Sequence, residues 1–292
     1  MKDILSSLKI KEYLNEQNKN LNIEIYPVLG STNMTLKEKA ALGAPEGTVI
    51  IAEEQTMGRG RFGREFFSPA GTGIYMSILL RPQLEPSDST LITTAAAVAV
   101  SEAIEEVTGA STAIKWINDI WIKKYGSNKY AKICGILTES ALSSGSRYPD
   151  YIILGIGINV FEPEKGFPSE ISGIATSAID SDHPDKSTND NVTGLAQHDS
   201  SCSHNIRNRI IATVLNKFMG FYPNLTKRTF LEEYRRRSIV LGRKINVIEN
   251  TLRTDISYSA TAVAIDDDCN LIVELEDGTV KSLYSGEISI RL

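Results

Sequence analysis

The stretch that most constrains this chain is Gly58-Arg59-Gly60-Arg61-Phe62-Gly63-Arg64, in which three glycines and three arginines surround one phenylalanine. Fixed glycines cost backbone entropy and closely spaced arginines repel one another, so these residues are unsuited to a globular core. Arginine forks and glycine backbone N–H groups together suit a phosphate or a carboxylate. The loop alone leaves two interpretations open: an anion clamp, or a solvated basic turn of the kind that also binds nucleic acid.

The charge of the whole chain favours a small anionic ligand over a long polyanion. The 292 residues carry a net charge of -5, whereas general nucleic-acid binders usually carry a basic excess. The positive charge is therefore local to the loop. A hydrophobic content of 41% with 23% charged residues is ordinary for a soluble globular protein, and the length allows one large domain and a small one.

The cysteines and the lengths of the apolar runs indicate in which cellular compartment the protein works. Cys134, Cys202 and Cys269 are far apart and lack CxxC spacing, so neither a disulfide framework nor a zinc site is expected. The N-terminal residues lack the apolar region of a signal peptide, and no apolar run approaches about 20 residues. We therefore expect a cytoplasmic protein that does not span a membrane.

Periodicity and turn residues predict both strands and helices in the first 237 residues. Helices are predicted at 4–18, 36–42, 87–109, 206–221 and 226–237, and strands at 22–29, 48–52, 73–80, 113–122, 132–139 and 151–160. Residues 180–205 are polar and turn-rich, which predicts a mobile insertion. Its three histidines, His183, His198 and His204, are expected to be solvated, because their setting gives only weak support to a metal site.

Past Leu241-Gly242 the pattern becomes β only. Strands are predicted at 244–248, 260–265, 271–275, 279–283 and 287–292, with a hairpin turn at Asp277-Gly278. This pattern predicts a small β-barrel or sandwich. We expect two domains, a large one at 1–237 and a small one at 238–292.

Glycines and hydroxyls stand at informative places in the predicted strands and turns. Gly155 and Gly157 are two residues apart and so share a strand face, which suits a flat ligand or tight helix packing. Gly135 inside a strand suggests close approach by a ligand or a bulge. Ser31 or Thr32 can cap the following helix, or can point a hydroxyl at a ligand from a strand-to-helix turn.

Cations recur with the glycines near the ends of the predicted strands. They are Arg59, Arg61, Arg64, Lys115 and Lys132. No Ser/His or Cys/His arrangement supports hydrolysis through a covalent intermediate. Concentrated positive charge fits chemistry at a phosphate, where a protein positions groups and stabilises developing charge. Phe66 or Phe67 beside the loop could stack on a base or anchor the loop to the core.

Six motifs occur in order along the chain. They are Ser31-Thr32-Asn33, Glu54-Gln55-Thr56 followed by the Gly/Arg loop and Ser68-Pro69, Lys115-Trp-x-Asn-Asp119, Lys132-x-x-Gly-Ile-Leu-x-Glu139, Gly155-x-Gly-Ile-Asn159, and Gly286-Glu-Ile-Ser-Ile-Arg291. Together they resemble the biotin protein ligases, or biotin–[acetyl-CoA-carboxylase] ligases, over about 24–180 and 230–292. The resemblance implies an α+β fold, with a class II synthetase-like mixed sheet and helices followed by a small SH3-like β-barrel.

The resemblance also implies a reaction. The carboxylate of biotin attacks the α-phosphate of ATP and gives biotinyl-5′-AMP and pyrophosphate. A lysine of a biotin carboxyl carrier protein domain then takes the biotinyl group. ATP with Mg²⁺ and biotin are the implied substrates, although no dedicated metal-ligand set is legible in the sequence.

The resemblance assigns roles to residues of the motifs. Biotin binding is implied for Ser31, Thr32, Asn33, Gln55, Gly58, Arg59, Arg61, Lys132, Gly135, Gly155 and Gly157. Nucleotide binding is implied for Arg61, Arg64, Phe66, Lys115, Asn118, Asn159, Glu287 and Arg291. Arg61 and Lys132 are the implied catalytic residues, in contact with the biotin carboxylate and the α-phosphate. Phe66 stands where the family often has tryptophan, which implies stacking on adenine with a smaller face.

Two alternatives remain at this stage. A lipoate–protein ligase shares the fold but lacks the Gly/Arg signature, and a catalytically silent biotin- or nucleotide-binding regulator would not need Arg61 and Lys132. Asp119 could act as base for the lysine transfer, or could orient Lys115 or Arg61. The segment before Asn22 is too short for a helix-turn-helix domain, so no DNA binding is expected, and a homodimer is compatible with the sequence.

Overall fold

The computed structural model describes residues 3–85, 88–124, 129–142, 145–179, 205–250 and 255–289. The helices within these ranges are α1 Ser7–Tyr13, α2 Thr32–Ala41, α3 Ser89–Thr108, α4 Ile206–Phe221 and α5 Leu231–Arg237. The strands are β1 Asn22–Leu29, β2 Thr48–Gln55, β3 Gly73–Leu80, β4 Thr112–Lys115, β5 Asp119–Lys123, β6 Tyr130–Ala141, β7 Tyr151–Asn159, β8 Lys244–Asn250, β9 Asp255–Ile265, β10 Leu271–Glu274, β11 Val280–Leu283 and β12 Glu287–Ser289.

The first seven strands form one mixed sheet in the order β1-β2-β3-β7-β6-β5-β4. The β1–β2 pair is parallel and the other pairs are antiparallel. β3 is buried along its whole length, as expected for a central strand with helices on both faces. In the β6–β7 register Gly135 lies opposite Gly157, so two residues without side chains are adjacent on the sheet.

Helices cover both faces of this sheet. α3 and α4 pack together on one face, while α2 packs on β2, β3 and β7 of the other face through Leu36 and Ala40. α3 is buried along its alanine-rich centre, where small side chains let the helix approach the sheet closely. It ends at Gly109, which adopts the left-handed conformation with φ of 74° that glycine accommodates without strain.

A buried ion pair ties the start of α4 to the sheet. The Arg207 side chain donates to the Glu53 carboxylate at 2.7 Å and to the Gly73 carbonyl oxygen at 3.2 Å. Its backbone N–H donates to the Asp3 carboxylate, which holds the N-terminal segment against α4. Because Glu53 lies two residues before Gln55 on β2, this contact supports the strand end that enters the Gly/Arg loop.

The remaining five strands form a separate antiparallel sheet in the order β11-β10-β9-β8-β12. The predicted Asp277-Gly278 turn joins β10 to β11, with Gly278 at φ of 83°. These two sheets confirm the predicted α+β class, a large mixed sheet with helices followed by a small β domain. The boundary near Ser238 that divides 1–237 from 238–292 stays a prediction.

Three predicted elements differ from the structure. The strand predicted at 113–122 is a hairpin of β4 and β5, because the chain turns at Trp116–Asn118 and Lys115 pairs with Asp119. The helices predicted at 4–18 and 226–237 are shorter, and each is accompanied by a separate 3-10 segment, at Glu16–Asn18 and Tyr222–Lys227. Asn118 and Asp119 are residue types common in turns, but the apolar residues on both sides of them favoured one continuous strand.

Nearly all of the predicted insertion at 180–205 lies outside the described ranges. Only residue 205 of 180–205 is described, so the insertion and its three histidines are not placed. Among the described residues, no helix combines the length and the apolar character needed to cross a bilayer.

Candidate functional site

A cavity of about 420 Å³ lies on the α2 side of the large sheet, between the Gly/Arg loop and the start of β12. The predicted site residues that line it are Ser31, Thr32, Asn33, Gln55, Arg59, Arg61, Arg64, Phe66, Lys115, Asn118, Lys132, Gly135, Gly155, Gly157, Asn159 and Glu287. Gly58 lies outside this lining, and Arg291 lies outside the described residues. Residues far apart in sequence therefore meet around one space.

One end of the cavity is a chain of neutral hydrogen-bonding groups. The Gln55 Oε1 atom accepts from the Thr32 backbone N–H at 2.9 Å, and Gln55 Nε2 donates to Ser68 Oγ at 3.0 Å. Thr32 Oγ1 lies 2.8 Å from the buried Ser77 Oγ. Ser31 occupies the N-cap of α2, but its buried side chain makes no capping hydrogen bond. The simple capping interpretation of Ser31 therefore does not account for its hydroxyl.

Asn33 joins this chain to the sheet. Its Nδ2 donates to Glu139 Oε2 at 2.7 Å, and its Oδ1 accepts from Ser77 Oγ at 2.6 Å. A Cβ atom added to Gly155 would lie 2.2 Å from Asn33 Oδ1. Gly155 is therefore required for close packing of α2 on β7, which is the second of the two interpretations that its spacing allowed.

Gly157 and Gly135 form a floor under the Phe66 ring. An added Cβ would lie 2.6 Å from the ring at Gly157, and 3.5 Å from it at Gly135. The ring also contacts Tyr75 edge to face, with 6.4 Å between centroids. Phe66 thus lies over Gly157 and Gly135, two of the glycines for which the resemblance implies biotin binding.

The Gly/Arg loop forms a tight turn at the mouth of the cavity. Arg59 pairs with Glu65 in an antiparallel bridge, and the Gly60 N–H donates to the Arg64 carbonyl oxygen at 2.7 Å. Phe62 has a φ of 57°, an uncommon left-handed conformation for a bulky residue. Gly58 packs against the Phe66 backbone, where an added Cβ would lie 2.3 Å from the carbonyl oxygen. Its role in the described loop is close backbone approach at the base.

The loop arginines bind the C-terminal domain as well as the large sheet. Arg61 donates to Asn118 Oδ1 at 3.1 Å and to the Gly286 carbonyl oxygen at 3.2 Å. Arg64 forms an ion pair with the Glu287 carboxylate. The structure thereby brings Glu287 to the cavity and adds the Gly286 carbonyl as a partner of Arg61.

Lys132 and Asp119 form an ion pair on the cavity wall, with 2.7 Å between Lys132 Nζ and Asp119 Oδ1. The sequence had left Asp119 as a base or as the partner of Lys115 or Arg61, so Lys132 is a partner that it did not name. Burial lowers the pKa of Lys115 and of Arg61, and the negative charge of Asp119 opposes both shifts. A phosphate bound beside Lys115 and Arg61 would, like Asp119, favour their charged forms.

The turn that carries Asn118 is held from three sides. The Trp116 Nε1–H donates to the Cys269 carbonyl oxygen of the small domain at 2.9 Å, and the Tyr234 hydroxyl donates to the Ile117 carbonyl oxygen at 3.0 Å. Asn118 Nδ2 donates to the Ile136 carbonyl oxygen at 2.9 Å. This support fixes the side chain to which Arg61 donates.

Some site residues were not singled out for a site role from the sequence. Trp121 lines the cavity with its ring 5.3 Å from Lys115 Nζ, and its buried Nε1 has no hydrogen-bond partner. Ser77 is a small polar residue among the large apolar and aromatic residues of β3, and that contrast was the available signal. Asn159, which was predicted, donates through Nδ2 to the Thr176 carbonyl oxygen at 3.2 Å. Among the described residues no cluster of three or more histidine, cysteine or carboxylate side chains could hold a metal ion.

Comparisons with known proteins agree with this geometry. The model of the biotin/lipoate A/B protein ligase family matches residues 25–159, and that of the biotin protein ligase C-terminal domain matches residues 240–291. The bifunctional ligase/repressor BirA of Bacillus subtilis is 34% identical over 98% of this chain and 79% of its own length. The chain belongs to the biotin/lipoate A/B protein ligase family.

Other members of this family are similar over most of the chain. The biotin–[acetyl-CoA-carboxylase] ligase of Mycobacterium tuberculosis is 30% identical over 77% of this chain and 74% of its own length. The solved structure of the Aquifex aeolicus biotin protein ligase in complex with biotin and ATP aligns with a TM-score of 0.66 and 28% identity. That alignment covers 92% of this chain and 98% of the other chain.

Proposed function

We propose that this chain attaches biotin to a lysine of a biotin carboxyl carrier protein domain, using ATP and a biotinyl-5′-AMP intermediate. The observation that carries the proposal is the single cavity, which has neutral hydrogen-bonding groups at one end and four cationic side chains at the other. A neutral head group and a polyphosphate need opposite surroundings, and here both kinds of surroundings line one cavity. The relative of known structure that binds biotin and ATP supports the same reaction.

The neutral end would hold the head group of biotin. Ser31, Thr32 and Asn33 present buried polar groups there, and Gln55 presents a half-buried one. Arg59 lies on the turn above, where it would close over the ligand together with Gly58. Phe66 would stack on adenine, and its ring lies over Gly157.

The cationic end would hold the reacting groups. In adenylation a carboxylate oxygen of biotin bonds to the α-phosphorus, while the bond from phosphorus to the bridging oxygen breaks and pyrophosphate leaves. Arg61 and Lys132 would stabilise the charge that develops at the α-phosphate, and Arg64 and Lys115 would hold the other phosphates. Asn118, Asn159, Glu287 and Arg291 would complete the nucleotide site. Mg²⁺ would enter bound to the phosphates of ATP.

In the second step the carrier lysine amine attacks the biotinyl carbonyl carbon, an amide bond forms and AMP leaves. The turn over the cavity would shield the mixed anhydride from water until the carrier binds. The described cysteines, Cys134 and Cys269, are both free and buried, which agrees with the cytoplasmic location that we propose.

Biotin-dependent exchange between pyrophosphate and ATP tests the first step without any carrier. The wild-type chain should catalyse exchange with biotin but not with lipoate, whereas exchange only with lipoate would show a lipoate ligase. Arg61→Ala and Lys132→Ala should each lower the exchange rate by about 100-fold or more, the cost of one preorganised contact at a developing charge. Near-normal exchange in both variants would refute their assignment. No exchange with either acid in the wild type would indicate a silent binder.

A further inference from the structure

A turn of the small domain contacts the β4–β5 hairpin from outside the cavity. This β9–β10 turn, residues 266–270, joins β9 to β10, and none of its residues lines the cavity. Its Cys269 carbonyl oxygen accepts from Trp116 Nε1 at 2.9 Å, and both residues are buried. The inference developed from this contact rests on the proposed function, because it concerns the role of Arg61 in adenylation.

The Asp266 carboxylate closes the β9–β10 turn. Its Oδ1 accepts from the backbone N–H groups of Asp268 at 3.0 Å and of Asn270 at 2.8 Å, and its Oδ2 accepts from Asn270 Nδ2 at 3.0 Å. Aspartate side chains that accept from backbone N–H groups further along the chain commonly fix turns in this way. The conformation of residues 266–270 is therefore set within the turn itself.

Cys269 has an uncommon backbone conformation within this turn. Its φ is 65°, in the left-handed region that few residues other than glycine adopt. Its side chain is also held, because Sγ accepts from Thr94 Oγ1 of α3 at 3.3 Å. Such conformations persist where the surrounding structure imposes them, and they are frequent at functional sites. Here the residue in this conformation presents its carbonyl oxygen to Trp116.

Two arginines, one in α5 and one just before it, bind the same turn. Arg228 Nε donates to the Asp267 carbonyl oxygen at 2.7 Å, and Arg235 Nε donates to the Ile265 carbonyl oxygen at 2.8 Å. Hydrogen bonds from a charged donor are stronger than those between neutral groups. The β9–β10 turn therefore fixes how the small sheet lies against α5 and the hairpin.

Arg61 contacts both parts of the protein that this turn joins. Its guanidinium donates to Asn118 Oδ1 of the hairpin and to the Gly286 carbonyl oxygen of the small domain. One planar guanidinium reaches both acceptors only if the hairpin and the small domain keep a fixed spacing. The contact between Trp116 and Cys269 joins the same hairpin to the same domain, and so it sets that spacing.

We propose that the β9–β10 turn is a positioning element for Arg61. By docking on Trp116, the turn holds Asn118 and Gly286 where one guanidinium bridges them. Arg61 is then fixed before ATP binds, and a cation fixed in advance stabilises a developing charge without the cost of reorganisation. The rate of adenylation thereby depends on residues that touch neither substrate.

A double-mutant cycle in the full chain tests this inference, with pyrophosphate exchange as the readout. Asp266→Ala removes the carboxylate that closes the turn, and should lower the exchange rate by about tenfold, the effect of one net hydrogen bond. In the Arg61→Ala background the same substitution should change the rate by less than about twofold, because the residue through which the turn acts is gone.

The matched control is Asp277→Ala in the neighbouring β10–β11 turn. Asp277 also closes its turn, where its Oδ1 accepts from the Thr279 N–H at 2.9 Å. The exchange rate of this variant should stay within about twofold of wild type.

A second variant and a binding measurement separate positioning from loss of the fold. Arg235→Met removes the hydrogen bond to Ile265 and keeps an apolar side chain, and it should show the same dependence on Arg61. By calorimetric titration, Asp266→Ala and Arg235→Met should each bind biotin no more weakly than Arg61→Ala does.

Three results would overturn the inference. They are an unchanged exchange rate in both variants, an equal fold-loss with and without Arg61, and a loss of biotin binding in both variants, which would indicate a general structural role. Absence of exchange in the wild-type chain would instead refute the proposed function, so the two claims fail separately.

Discussion

Asp119 has two possible roles, orienting Lys132 or acting as the base for lysine transfer, and the two roles predict different effects of removing its charge. If Asp119 orients Lys132, the Asp119→Asn substitution weakens the placement of a cation that both half-reactions use. If Asp119 is instead the base that deprotonates the incoming lysine, adenylation does not need it. Replacing a carboxylate by an amide of the same shape therefore separates the two roles.

The size of the effect follows from the geometry. A hydrogen bond to a charged group contributes about 1.5–3 kcal/mol. The Lys132 and Asp119 side chains are 28% and 19% exposed, so solvent screens the interaction. Screening reduces the contribution of this hydrogen bond to about 1–2 kcal/mol. If the loss falls on the orientation of Lys132, the rate of adenylation should fall about 5- to 30-fold.

Two assays read the two steps. Pyrophosphate exchange reports adenylation, and single-turnover transfer from preformed biotinyl-5′-AMP to a carrier domain reports the second step. We expect Asp119→Asn to slow both, and Glu274→Gln, which neutralises an exposed carboxylate of the small sheet, to slow neither. Exchange within about twofold of wild type together with a large loss in transfer would refute the orienting role and identify Asp119 as the base.

Three further predictions concern the Gly/Arg loop, the glycines Gly155 and Gly135, and the charge of Lys115. Trypsin should cut at Arg59–Arg64 in the free chain and more slowly with biotin and ATP; equal cleavage would contradict a closing loop. Gly155→Ala should destabilise the fold by about 1–3 kcal/mol in urea, because its Cβ would overlap Asn33, whereas Gly135→Ala should cost less, because its Cβ would come no closer than 3.2 Å to the end of Lys132 and 3.5 Å to the Phe66 ring. Burial lowers the pKa of Lys115, so it loses its charge earlier as pH rises; the KM for ATP should rise on the alkaline side, and Lys115→Arg should flatten that profile.

Much of the fold could be predicted from the sequence because strands and turns are indicated by short, local residue patterns. Alternating residues predicted β3, a strongly apolar run predicted β7, and Asp277-Gly278 predicted the turn from β10 to β11. The hairpin of β4 and β5 was missed because Asn118 and Asp119, which mark its turn, are flanked by apolar residues typical of one continuous strand. Ordered motifs also predicted the family, since six of them at compatible spacing are specific where one Gly/Arg loop is not.

Partnerships within the site could not be predicted in the same way. The motifs named Asp119 and Lys132, but which cation a carboxylate meets depends on how β5 and β6 align, and a register shift lies between Ile120 and Trp121. The link from Glu139 to Asn33 joins residues 106 positions apart. Contacts of that kind follow from the packing of α2 on the sheet, which the spacing of Gly155 indicated only as one of two interpretations.

The most direct test of the proposed ligase activity is the intact mass of a biotin carboxyl carrier protein domain after incubation with the chain, ATP and biotin. We expect a gain of one biotinyl group per carrier, dependent on ATP, and a greatly slowed gain with Lys132→Ala. No gain with biotin, or a gain only when lipoate replaces biotin, would contradict the assignment of this site to biotin.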